Sequence, residues 1–213
     1  MQYVWCVLMG YLVGGINPAY MMSRVKGFDI RERGSGNAGG SNAFLIMGRL
    51  AGLIVILFDL FKAYFVVRLA THLFADASLA LAVTGTSVVM GHIFPPFMGF
   101  KGGKGLASLG GVVLAYDWRV FFIMLFAAIL LALICDYIFV ISITAPISFF
   151  LLYGVLEKDL RGALILLILA ITMFFKHVEN IHRVKNGTEV HLSYIWNKDA
   201  ELERIGERDE ENE

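Results

Sequence analysis

Two lysines stand three apart in "GFKGGKGLAS", residues 99–108, and Gly102, Gly103 and Gly105 leave the backbone around them bare. Glycine lets backbone N–H groups approach a ligand closely. A helix beginning directly after the loop adds unsatisfied N–H groups and a partial positive charge. With Lys101 and Lys104 these make an anion site. The same residues would also suit a membrane-surface turn whose lysines only set topology. The stretch is not a Walker A loop, because Gly105 follows Lys104 and Met98 stands where the first glycine would be.

Two further stretches carry similar chemistry. "DIRERGSGNAGGSN", residues 29–42, is a second glycine-rich loop leading into a helix. Ser35, Asn37, Ser41 and Asn42 offer polar groups, and Arg31 and Arg33 offer charge. Ser41 or Asn42 would equally serve as the helix N-cap. "HVENIHRVKNGTEVH", residues 177–191, brings His177, Asn180, Arg183 and Glu189. His177 and Asn180, three apart, share a face if the stretch is helical. Two anion loops imply two anionic groups, or one large one.

The elements that position these loops follow from the solvent. Of 213 residues, 58% are hydrophobic and 17% charged, with a mean hydropathy of +0.70. A soluble domain of this length could not bury so much apolar side chain, so the bilayer is the expected solvent. A spanning helix needs about 20 apolar residues. Seven apolar segments recur, at 3–25, 43–70, 75–97, 105–116, 118–135, 137–156 and 160–177, which excludes a secreted protein with a single signal peptide. The fourth, "LASLGGVVLAY", is only about 16 Å long as a helix, so one of its ends should lie recessed. The expected fold is therefore an all-α integral membrane protein of seven transmembrane helices.

Seven spans put segments 26–42, 98–104 and 178–198 on one side. Ten basic residues, from Arg24 to Lys185, lie on that side against Arg68, Arg119, Lys158 and Arg161 on the other. The positive-inside rule makes the loop-bearing face cytoplasmic, with the N-terminus outside and the C-terminus inside. Residues 1–198 then form the membrane domain, and 199–213 a charged acidic tail, dispensable for chemistry.

Polar residues inside spans are costly and often functional. Asn17–Pro18 falls in the first segment, and Pro146 frees the carbonyl of Ser142 in the sixth. Asp59 and Lys62 can pair within the second, as a structural or a catalytic pair. Cys6 and Cys135 read as packing residues without a CxxC.

Taken in order, "GINPAYMMSRVKGFDIRERGSGN", "GHIFPPFMGFKGGKGLAS" and "HVENIHRVKNGTE" resemble the bacterial acyl-phosphate:glycerol-3-phosphate acyltransferases of the PlsY type over about 180 residues. The resemblance implies a bacterial inner-membrane enzyme of phospholipid biosynthesis. It would move a fatty acyl group from acyl phosphate to the 1-hydroxyl of glycerol 3-phosphate, giving lysophosphatidate and phosphate. Ser35, Asn37, Lys104, His177, Asn180 and Glu189 stand at the family's motif positions. Carried over, His177, Asn180 and Asn37 act at the reacting groups. Lys101, Lys104 and the amides of Gly102 and Gly103 hold one phosphate, Ser35 and Arg49 hold the other, and Ser41, Ser142 and Glu189 support them. The partners implied are the two substrates and the bilayer, with no cofactor, metal or nucleic acid; the oligomeric state stays open.

An acyl phosphate is already activated, so a covalent nucleophile is not required, and neither G-x-S-x-G nor H-x-x-x-x-D occurs. The chain departs from the family at two places. Its first motif has Leu45 where an arginine is usual, one turn before Arg49, and "GGINP" replaces G-S-I-P. A different phosphorylated acceptor is therefore an alternative. A small-anion transporter is another, against which stand the clustering of all signatures on one face and the lack of an internal repeat.

Overall fold

Proline and glycine decide where the long apolar segments stop being single helices. The computed structural model describes residues 1–195, so the tail at 199–213 and the end of the expected membrane domain lie outside the described residues. Helix α1 (Gln2–Gly14) stops three residues short of Asn17, which caps α2 (Pro18–Val25). The Asn17 side chain accepts the Tyr20 N–H at 2.8 Å, and Pro18 takes the first helical position, where a missing N–H costs nothing. The expected segment 43–70 is likewise two helices, α3 (Gly40–Met47) and α4 (Arg49–Leu73). They part at Gly48, whose φ of 95° suits glycine.

The chain continues through α5 (Ala80–Ile93), α6 (Leu106–Tyr116), α7 (Trp118–Cys135), α8 (Ile138–Glu157), α9 (Leu160–Lys176) and α10 (Val178–Asn186). The short fourth segment is α6. The described residues contain no strand. Among the described residues, six helical stretches are long and apolar enough to cross a membrane: 2–25, 49–73, 80–98, 118–135, 138–157 and 160–186; α6 is a shorter apolar helix.

Small residues set the closest helix contacts. A Cβ on Gly10 or Gly14 of α1 would strike the α5 backbone, and one on Gly91 of α5 would strike that of Tyr11. Lipid offers no hydrophobic drive for helix association, so such close van der Waals approach does that work. Gly111 of α6 meets the Leu60 carbonyl of α4 in the same way. Helix α5 is the covered centre, with 61% of its span buried; α7 is the outermost, with 6%.

The break after α1 leaves backbone carbonyls inside apolar surroundings, where each unsatisfied group costs several kcal/mol. Lys62 of α4 answers it. Its Nζ donates to Gly14 O at 3.0 Å and Ile16 O at 2.6 Å, and pairs with Asp59 Oδ1 at 2.6 Å.

Candidate active site

A cavity of about 660 Å³ opens where the three loops meet. One end is polar. The other is an apolar arm running between α4, α6, α7 and α8, past Leu60, Leu109, Val113, Phe121 and Ile141. Leu125 and Ile129 line the arm while 40% and 49% exposed, so it opens sideways along α7.

The first loop is held by two buried asparagines. Asn42 accepts the Ser35 N–H at 3.0 Å through Oδ1, and donates through Nδ2 to the carbonyls of Ile30 (3.0 Å) and Arg33 (2.9 Å). Asn17 donates to Ala38 O at 2.8 Å. Neither Ser41 nor Asn42 caps α3: Gly39 is the cap residue, and the amide of Asn42 is spent on the loop. Gly39, Gly40 and Ser41 bring the N-terminus of α3 to the cavity, beside Ser35 and Asn37. The two arginines of this loop are engaged elsewhere. Arg31 forks onto Asp29, Nη2 to Oδ2 at 2.7 Å, and donates to Met98 O at 2.7 Å. The hydrogen bonds from Arg31 hold the Asp29 carboxyl below its usual range. The Arg33 guanidinium lies 4.3 Å from the ring centre of Phe28.

In the second loop the glycines serve packing. Gly102 N–H donates to Ile93 O and Gly103 N–H to His92 O, each at 3.1 Å, so both amides expected to hold phosphate are occupied. A Cβ on Gly102 would strike His92 O and Pro95, and one on Gly103 the His92 ring. Gly105, at φ 93°, turns the chain into α6, whose first N–H groups have no intrahelical acceptor. Lys104 enters the cavity. Lys101 is exposed and borders a separate small cleft with Asp29, Arg31 and Glu32.

The third stretch builds the wall facing Lys104. Lys104 Nζ donates to Asn180 Oδ1 at 2.5 Å, Asn180 Nδ2 to Glu189 Oε1 at 2.6 Å, and Arg183 Nε to Glu189 Oε2 at 2.8 Å. Asn180 is thus fixed by a cation on one side and a carboxylate on the other. Two cations share one carboxylate, which leaves this wall net positive. Burial, with the charge of Arg183, lowers the Lys104 pKa to about 8. His177 is buried, with Nδ1 2.7 Å from Met173 O. A carbonyl only accepts, so Nδ1 carries the proton and Nε2 of the neutral ring is a proton acceptor.

Of the residues singled out from the sequence, Ser35, Asn37, Ser41, Lys104, Ser142, His177, Asn180 and Glu189 line this cavity; Arg49, Lys101, Gly102 and Gly103 are not in its lining. Leu45 is. The one-turn relation between Leu45 and Arg49 does not hold, because Gly48 breaks the helix between them. Sequence reasoning missed His92 and left Asp59 undecided; both line the cavity. His92 Nδ1 lies 3.3 Å from Asp59 Oδ1 and 3.3 Å from Lys62 Nζ. Lys62 Nζ makes its hydrogen bonds to Gly14 O, Ile16 O and His92 Nδ1. An ammonium only donates, so His92 Nδ1 accepts, and Asp59 Oδ1 meets Lys62 as a charge partner. The signal available was a histidine inside an apolar segment.

A family model described as "Glycerol-3-phosphate acyltransferase" matches residues 4–187. The glycerol-3-phosphate acyltransferase of Thermotoga petrophila is 36% identical over 183 residues, 85% of this chain and 92% of that one. That of Aquifex aeolicus is 33% identical over 189 residues, 89% and 98% of the two chains. The crystal structure of PlsY, an integral membrane glycerol 3-phosphate acyltransferase, in its glycerol 3-phosphate form superimposes with a TM-score of 0.85 at 31% identity, covering 93% of this chain and all of that one. The lysophosphatidic acid form superimposes with a TM-score of 0.79 at 32% identity, covering 90% and 95%.

Proposed function

The chain belongs to the glycerol-3-phosphate acyltransferase family, and from that premise we propose that it moves a fatty acyl group from acyl phosphate to the 1-hydroxyl of glycerol 3-phosphate. One observation carries the reading. Two helix N-termini, Lys104 and His177 converge on the polar end of a cavity whose other arm is apolar and open sideways. That shape suits two phosphates at one end and a fatty chain at the other.

Each residue then has a task. Lys104 and the first amides of α6 hold one phosphate; Ser35, Asn37 and Ser41, at the start of α3, hold the other. Asn180 and Glu189 hold Lys104 in place. The acceptor hydroxyl attacks the acyl carbon, the bond from that carbon to the phosphate oxygen breaks, and inorganic phosphate leaves. The hydroxyl proton goes to His177 Nε2 or to the departing phosphate. The donor is already activated, so the barrier is mostly positioning and charge neutralisation.

Counting α6 as a seventh, short crossing puts the N-terminus outside and the C-terminus inside. The site then faces the cytoplasm of a bacterial inner membrane, in keeping with the basic residues on that side. One observation favours a second reading of the acceptor. Leu45 stands in the cavity lining where an arginine is usual in the family, so a phosphorylated polyol other than glycerol 3-phosphate fits the same site.

The test is an assay of purified protein with palmitoyl phosphate or palmitoyl-CoA as donor and several polyol phosphates as acceptors. Release of phosphate together with lysophosphatidate is expected with palmitoyl phosphate and glycerol 3-phosphate. Equal turnover with palmitoyl-CoA would sink the donor assignment. Movement of labelled phosphate across sealed liposomes without lipid product would favour a transporter instead.

A further inference from the structure

Two glycines stand side by side in α6, and their surroundings differ. Gly111 is demanded by packing, since a Cβ there would strike the Leu60 carbonyl and the Ala63 side chain of α4. Gly110 is not. The nearest atoms to a Cβ at Gly110 would be Phe121 Cε2 at 3.6 Å and Leu60 Cδ1 at 3.8 Å, both ordinary contacts. Its φ is not left-handed, so other residues could adopt its backbone. Glycine inside a helix is less favourable than alanine, and no neighbour explains it here. What Gly110 borders is the apolar arm, at the turn of α6 that faces Phe121. Gly110 lies four residues beyond Leu106, about 6 Å further along the helix axis.

We infer that Gly110 sets the length of acyl chain the arm accepts, its missing side chain being space that the chain occupies beyond its first few carbons. This rests on the reading of the apolar arm as the acyl site. Surrounding lipid is as apolar as the arm, so a chain gains little by entering it. Selection there is steric. A side chain on Gly110 would push back any chain long enough to pass it and shift its carbonyl carbon from the attack position, which positioning-dependent chemistry does not tolerate. A short chain ends before it reaches the obstruction.

The experiment compares wild type, Gly110→Ala, Gly110→Leu and Gly110→Leu/Phe121→Ala. Butyryl, octanoyl and palmitoyl phosphates are the donors, glycerol 3-phosphate is the acceptor, and thermal unfolding is read on the same samples. Gly110→Leu should lower the palmitoyl-to-butyryl ratio of kcat/KM at least tenfold and leave the acceptor KM unchanged. Phe121→Ala in that background should return part of the ratio. If Gly110→Leu does not fold, Gly110→Ala carries the test, with a few-fold fall in the same direction. An unchanged ratio in a folded variant, or an equal fall with every donor, overturns the inference. Wild-type protein inactive with all three donors would instead overturn the acyl-phosphate reading, and the chain-length role with it.

Discussion

His92 meets Gly103 twice: its carbonyl accepts the Gly103 N–H at 3.1 Å, and its ring fills the place a Gly103 Cβ would take. The glycine is thereby explained by a neighbour within the protein. Gly103→Ala should lower activity and thermal stability. Because the two residues touch, Gly103→Ala/His92→Ser should be less damaging than the sum of its parts, with a coupling of about 0.5–3 kcal/mol in unfolding free energy. Strict additivity would mean that the glycine answers to something other than His92.

The two lysines of the same loop should separate. Lys104 lies in the cavity on Asn180, whereas Lys101 is exposed beside another cleft. Lys104→Ala should cut turnover about 10²-fold, the scale of removing one donor to developing charge, without unfolding the protein. Lys101→Ala should cost only a few-fold. Phosphate-release rates for both variants, with melting curves, test this; wild-type activity in folded Lys104→Ala would return the lysines to a topological role.

Burial lowers the Lys104 pKa from 10.5 to about 8, which sets a pH limit. The ammonium form attracts the phosphate, so the KM of the substrate whose phosphate Lys104 holds should climb as pH rises through about 8. Stability should move the other way. Between about 8 and 10.5 the unfolded chain holds this proton and the folded one does not, so the group adds stability with rising pH. The alkaline loss of affinity is therefore not unfolding. Lys104→Arg keeps its charge and should flatten that limb; an identical limb in the variant would assign it to another group.

Asp59 and Lys62 form a buried pair at 2.6 Å, and Lys62 also holds the break after α1. Asp59→Asn leaves a buried ammonium without its counter-charge and should cost about 3–5 kcal/mol. Thermal unfolding in detergent measures this. An unchanged midpoint would show that the pair is dispensable to the fold.

Leu45 in the cavity lining offers a gain of function. Leu45→Arg would place a guanidinium in the cavity beside the first loop, and a charged hydrogen bond is worth about 1.5–3 kcal/mol. The KM for glycerol 3-phosphate should fall about tenfold or more. No change would mean that this position does not face the acceptor phosphate.

Which parts of this were legible beforehand follows from how local each signal is. The short helix α6 is legible to within a residue, because glycines precede it and an aspartate ends it. The breaks at Asn17 and Gly48 are not, since hydropathy averages over them; only the prolyl cap and the positive φ reveal them. The three loops were expected on one face, and eight of the chosen side chains line one cavity. The glycine amides of the second loop were misassigned. Whether an amide is free depends on carbonyls of α5 that no local pattern displays. His92 was passed over because a lone histidine in an apolar run carries no spacing signal, and its partners are 30 or more residues away.

The sideways mouth at Leu125 and Ile129 changes the units in which this protein meets its donor. A fatty substrate that enters between α7 and the neighbouring helices never crosses bulk water. Its effective abundance is a mole fraction among lipids rather than a number of moles per litre. Inert lipid added at constant total donor then dilutes the reaction in two dimensions, and added buffer does not. A lipid product released by the same flank would already be in the leaflet where the next enzyme to use it would collide with it.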